Sequence, residues 1–199
     1  MSVTAARKNP VLSLTVIGAM SALATVIYLL FPEIPLVPGV EYLKIDLSDI
    51  PALLTGVVLG PLPGIAVEVI KNGIHLLRTT TFGIGELMNI GVGAVIVWGL
   101  HGFSTLFSRL LRKPLMHAAV FYSAAALTVA AAIAAGWLLN GLLTPLYFRI
   151  MGIPLTTAGV LAGVWGSTLL NAVKAALNLL PLYPLYLAVY RASERLLRR

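Results

Sequence analysis

Apolar residues run along this chain in long blocks, separated by short stretches in which prolines, glycines and charges collect. The blocks cover residues 11–31, 51–59, 64–77, 84–107, 115–146 and 157–190. A helix that crosses a bilayer needs about 20 predominantly apolar residues, so the pattern predicts membrane helices, two of them short. Gly60-Pro61-Leu62-Pro63-Gly64 separates the second block from the third, because proline lacks a backbone donor and obstructs the preceding turn. Alternation is weak and no turn-punctuated ten-residue strands occur, which argues against an outer-membrane barrel. The expected fold class is an all-α integral membrane protein with six transmembrane helices. A single membrane domain spans residues 1–199, with no convincing internal repeat.

Composition agrees with the pattern. Of the 199 residues, 59% are hydrophobic and 11% charged, whereas a soluble domain carries about 25% charged residues. Without cysteine the chain has no disulfide framework, thiolate metal site or redox dyad. Arg7-Lys8 ahead of an apolar run, with Ala22-Leu23-Ala24 behind, has some look of a cleaved signal. The run continues to Phe31, however, and reads as a retained first helix.

The net charge of +7 is a topology signal, with no nucleic acid implied. With six spans, one side holds Arg7, Lys8, Arg109, Arg112, Lys113, Arg191, Arg195, Arg198 and Arg199, nine of the fourteen basic residues. The other side holds Glu33, Glu41, Asp46 and Asp49. The positive-inside rule then places both termini in the cytoplasm and loop 42–50 outside. Reading residues 51–77 as one broken helix would leave five spans and split the basic clusters across both faces.

The scarce charges are grouped. Tyr42-Leu43-Lys44-Ile45-Asp46-Leu47-Ser48-Asp49-Ile50-Pro51 sets a lysine, two aspartates and a serine directly before an apolar run. Ser48 or Asp49 is expected to cap the next helix, with Pro51 in its first turn. The same loop is a candidate cover for a pocket between helices. Counting a span's length back from each cytoplasmic cluster brings Asn89 with Glu86, Asn140, and Asn171 with Lys174 at or near the outer leaflet. Helical spacing puts Asn171, Lys174 and Asn178 on one face, as it does Glu68, Lys71 (or Asn72) and His75, and also Glu86, Asn89 and Gly93.

A lone membrane asparagine is commonly interhelical glue, worth about 0.6 kcal/mol. A lysine at the bilayer centre costs roughly 2.5–3.5 kcal/mol, so it faces a cavity or a partner. Glu68 can pair with Lys71 one turn away. Lys174 has no acid in its own helix and is the stronger site candidate. On the first helix, Gly18 and Ala22 form a small-xxx-small pair with Thr15, Ala19 and Ser21 nearby, a face that lets another helix approach, inside the protein or from a partner.

Enzymatic signatures are missing. There is no G-x-x-x-x-G-K-[ST] and no H-E-x-x-H, and His75, His101 and His117 lie on separate segments without metal-ligand spacing. Ser167 lacks the second glycine of a nucleophile elbow. No catalytic residue, metal or cofactor is expected.

Taken in order, these residues resemble a family. Leu43-Lys44-Ile45-Asp46-Leu47-Ser48-Asp49-Ile50-Pro51-Ala52-Leu53 is similar to the loop and second-helix motif of the substrate-binding S components of energy-coupling factor (ECF) vitamin transporters. Gly60-Pro61, Glu68-Val69-Ile70-Lys71-Asn72, Met88-Asn89, Asn140 with Pro145 and Tyr147, and Asn171-Ala172-Val173-Lys174 follow in the family's order, closest to its riboflavin-specific branch. The resemblance extends over about residues 11–190. It implies six helices, an outward-facing vitamin site, and docking through Gly18 and Ala22 on a membrane coupling subunit that carries two cytoplasmic ATPases. It further implies that Asn140, Asn171 and Lys174 hold a flavin ring, with Lys44, Asp46, Glu68, Lys71, Asn72 and Asn89 as further candidates. Amides supply the donors and acceptors that a uracil-like edge needs, and lysine adds a charged donor. Lys44 raises the question of flavin mononucleotide as a second ligand. Alternatives are an S component for another vitamin such as folate or pantothenate, a small intramembrane enzyme, and a structural partner whose polar stripes only join helices.

Overall fold

The computed structural model describes residues 9–30, 34–35, 44–45, 47–115 and 117–197. The chain is helical almost throughout. Helix α1 covers Pro10–Leu30, α2 Ile50–Leu59, α3 Pro61–His75, α4 Ile84–Leu111, α5 Ala118–Ile150, α6 Thr157–Leu179 and α7 Leu182–Leu197. Between α1 and α2 a short antiparallel pair joins β1 (Ile34–Pro35) to β2 (Lys44–Ile45), with Ile34 opposite Ile45 and Pro35 opposite Lys44.

Local chemistry explains the boundaries. The Asn9 side chain accepts from the amides of Val11 and Leu12 at 3.1 and 3.3 Å, satisfying donors that the first turn of α1 leaves open. Thr156 does the same for α6 through Gly159 N at 3.1 Å. Gly60 has φ +117°, a conformation that glycine alone adopts without strain, and it turns α2 directly into α3. At the turn's inner surface a Cβ on Gly64 would lie 2.8 Å from Ala52 O and 2.9 Å from Gly56 Cα. The hairpin therefore closes backbone on backbone, as small residues permit. In place of one helix over residues 157–190, α6 and α7 are separate segments that meet at Leu180–Pro181. Pro181 and Pro184 each remove a backbone donor there.

Among the described residues, four segments are long and apolar enough to cross a membrane: Pro10–Leu30, Ile84–Leu111, Ala118–Ile150 and Thr157–Val189. Helix α2 has 10 residues and α3 has 15, rising about 15 and 22 Å, each less than the roughly 30 Å hydrocarbon core. The most extensive helix contacts join α4 to α5 and α5 to α6, with the α2–α3 hairpin wedged between α1 and α4. Leu53, Ile96, Phe121, Leu179 and Leu182 are the largest buried apolar side chains of the main core. Many outward residues are large and apolar, Val11, Leu14, Leu142 and Trp165 among them. That distribution suits lipid contact.

Candidate functional site

The centre of the site is Asp49, one residue before α2. The helix-capping role expected for it does not occur: its side chain makes no capping bond. An N-cap side chain bonds the second or third amide of its helix, and the second residue of α2 is Pro51, which has no amide hydrogen. The Asp49 carboxylate instead bridges two lysines from other helices. One oxygen lies 2.5 Å from Lys71 Nζ of α3 and the other 3.2 Å from Lys174 Nζ of α6. All three side chains are buried, Lys71 completely. Isolated charges could not remain there, whereas paired ones with hydrogen bonds can.

The pairing continues along α3. Lys71 Nζ also meets Glu68 Oε2 at 2.8 Å, the one-turn pair expected from spacing. Asn72 donates to the same oxygen at 3.2 Å and to the Glu68 carbonyl at 2.9 Å. Glu68 lies over α4 where Gly93 leaves room, since a Cβ there would fall 2.9 Å from the carboxyl carbon. Glu68 Oε1 and Asn72 Oδ1 are buried acceptors with no hydrogen-bond partner among the described residues.

Lys174 donates to Asn89 Oδ1 at 3.3 Å, and Asn89 Nδ2 donates to the Tyr28 hydroxyl at 3.0 Å. Tyr28 carries the network into α1. Its ring lies 5.5 Å below Lys71 Nζ and stacks on His75 at 3.9 Å. His75 Nδ1 in turn lies 2.8 Å from Glu86 Oε1, while Thr79 and Thr81 donate to Glu86 Oε2 at 3.0 and 3.3 Å. Four helices and the approach to α2 are thus tied by one chain of polar contacts.

Beside this network lies a small cleft with room for about one water molecule. Its polar lining is Asp49, Asn89, Asn171 and Lys174, and its apolar wall is Val92, Gly93 and Ile96. Asn171 reaches it because Gly136 on α5 has no side chain, as a Cβ there would collide with the Asn171 amide. The volume is below the roughly 300 Å³ at which ligand pockets begin.

Of the residues singled out in sequence, Asn89, Asn171 and Lys174 come together at the cavity. Glu68, Lys71 and Asn72 stand behind it. Asn140 belongs to a different cluster: it donates to Gly136 O at 2.7 Å and accepts from Ser167 Oγ at 2.9 Å, with Ser167 also bonded to Gly163 O at 2.7 Å. Lys44 is described through its backbone in β2, which packs against α6. Asp46 lies outside the described residues. Gly18 and Ala22 are exposed on α1, and a Cβ on Gly18 would meet nothing within 4 Å. Asp49 and Tyr28 are the members that sequence reasoning missed. The usable signal was the combination of Pro51 and an acid-free Lys174, which together call for an acid that does not cap.

Long apolar helices with charged and amide side chains gathered at one cleft define a helical membrane protein with a candidate binding site. The chain belongs to the substrate-specific component family of ECF transporters, whose family model matches residues 12–186. That agrees with the motif resemblance, and it makes the chain a membrane transporter component. It is 38% identical over 90 residues to "Riboflavin transporter FmnP" of Bacillus subtilis strain 168, covering 42% of this chain and 45% of that protein. It is 36% identical over 81 residues to "Riboflavin transporter RibU" of Staphylococcus aureus strain TCH60, covering 41% and 42%. The matched stretches thus span less than half the length of these curated relatives. The fold superimposes with a TM-score of 0.67 on the S component of a bacterial ECF transporter, at 22% identity, over 94% of this chain and 98% of that one.

Proposed function

We propose that this chain is a riboflavin-capturing S component, taking the vitamin from outside and delivering it for ATP-driven uptake without catalysis of its own. The observation that carries the reading is the cavity among the helices with Lys174, Asn89 and Asn171 at its wall. A lysine and two amides offer both donors and acceptors to a uracil-like edge, and Val92 and Ile96 offer apolar surface to a flat ring. The local likeness to riboflavin transporters points to the same ligand. Asn171 and Lys174 hold the flavin, joined by Asn89, while Asn140, bonded within the α5–α6 pair, contributes little to its affinity. Glu68, Lys71 and Asn72 hold the framework, and Lys44 and Asp46 belong to the covering loop.

Both termini are cytoplasmic and loop 42–50 is outside. Because the α2–α3 hairpin starts and ends on one side, six crossings and four long spans with a re-entrant hairpin give the same orientation. The open small-residue face of α1 at Gly18 and Ala22 docks on a membrane coupling subunit bearing two cytoplasmic ATPases. The direct test is titration of purified protein with riboflavin, read by quenching of flavin fluorescence, with yellow colour carried through purification as a first sign. A colourless preparation that fails to quench added riboflavin would sink the reading.

A further inference from the structure

We infer that Gly136 of α5 is a positioning residue for ligand recognition: its missing side chain seats the Asn171 amide at the cleft, free to bond an incoming flavin. The inference rests on the riboflavin reading above and deepens it by naming what holds the amide in place. Among the described residues four asparagines are buried. Asn72, Asn140 and Asn178 each donate to the carbonyl four residues earlier in their own helix, at 2.9, 2.7 and 3.0 Å. Asn171 does not, and no hydrogen bond among the described residues occupies its amide. It is 8% exposed and lines the cleft. Buried amides are normally bonded. One held open at a cleft keeps its donors and acceptor for a ligand.

Gly136 accounts for this posture. A Cβ there would collide with Asn171 Nδ2 and stand 2.8 Å from Cγ and 3.3 Å from Cβ, and these are the three nearest atoms it would meet. Turning the amide over exchanges Nδ2 for Oδ1 but leaves Cγ where it is. Relief therefore needs another χ1 well, about 120° away, and the amide leaves its place. The two backbones are held together at this point. Gly136 O accepts from Asn140, whose Oδ1 takes the hydroxyl of Ser167, one turn before Asn171 on α6, at 2.9 Å. Further along the same contact, a Cβ on Gly163 would lie 3.2 Å from Thr144 Cγ2, so the helices pack closely there too. With α5 and α6 fixed by a bond and by packing, the side chain of Asn171 is what yields.

The experiment measures riboflavin dissociation constants for wild type, Gly136→Ala, Asn171→Ala and the double variant, with the thermal midpoint of each in the absence of ligand. Asn171→Ala should weaken binding by about tenfold to a hundredfold, the effect of one lost buried hydrogen bond. Gly136→Ala should weaken it equally, and the double variant no further, because all three remove the same contact. The ligand-free midpoint of Gly136→Ala should not fall, since alanine is favoured over glycine inside a helix. A merely structural role would lower that midpoint and make the losses in affinity multiply. Wild-type affinity in Gly136→Ala, losses that multiply in the double variant, or failure of Gly136→Ala to fold would each overturn the inference while leaving the riboflavin reading intact. Failure of the wild-type protein to bind riboflavin would remove both.

Discussion

Two polar clusters lie among these helices, and they use their polar groups in opposite ways. Around Asp49 the bonds run between elements: the acid before α2 reaches α3 and α6, Lys174 reaches α4, and Asn89 reaches α1. Around Asn140 much of the bonding stays local. Asn140 returns one bond to its own helix and Ser167 does likewise, leaving a single contact between their side chains. The first cluster lines a cleft shared by α4 and α6. A polar residue inside a membrane helix is thus a site candidate when its neighbours on the same helix cannot satisfy it. Lys174, with no acid of its own helix nearby, is such a residue, and Asn140 is far closer to self-sufficiency.

The contrast can be broken most forcefully at Lys71. Lys71→Met leaves Asp49 and Glu68 buried with their shared cation gone, and breaking a buried pair in this way costs about 3–5 kcal/mol. The thermal midpoint in detergent or nanodiscs should drop well below that of Asn140→Leu; equal midpoints would mean that the charged cluster does not hold the fold.

Lys174→Met should act on binding more than on folding, because Asp49 keeps Lys71. Loss of a donor to a bound flavin costs about 1–3 kcal/mol, or tenfold to a hundredfold in affinity, and Asn171→Leu should lose a similar amount. Fluorescence titration reads each one. Unchanged affinity in both would place the pocket elsewhere.

Asn140→Leu sharpens the comparison from the other side. Its single interhelical bond is worth about 0.6 kcal/mol, so riboflavin affinity should change by only about threefold. A hundredfold loss would make the two clusters one binding site, as the motif resemblance implies for Asn140.

The smallest effect on binding belongs to α1. Gly18→Leu and Ala22→Leu alter a face that touches neither cluster and should leave riboflavin affinity within about twofold, since surface changes of this kind fall within about 0.5 kcal/mol. Uptake by cells containing the coupling module should nonetheless fail, because a bulky side chain keeps a partner helix away. Equal loss of binding and uptake would assign the face to internal packing.

Much of this molecule was legible in one dimension. The length and apolarity of the blocks determined a helical membrane protein, and Gly60-Pro61 marked the hairpin turn, because a proline's missing donor and a glycine's freedom act within a few residues. Helical periodicity likewise placed Glu68, Lys71 and His75 on one face and Asn171 with Lys174 on another, since 3.6 residues per turn is a local rule. The ordered motifs carried the family. Four outcomes were decided by the tertiary structure alone: that Asp49 leaves the helix start for two lysines, that Tyr28 joins them, that Asn140 turns to Ser167, and that Gly93 and Gly136 make room for Glu68 and Asn171. Each depends on where helices cross and how they are rotated about their axes. Those quantities follow from the packing of the whole core, in which every contact competes with every other, and no local period encodes them.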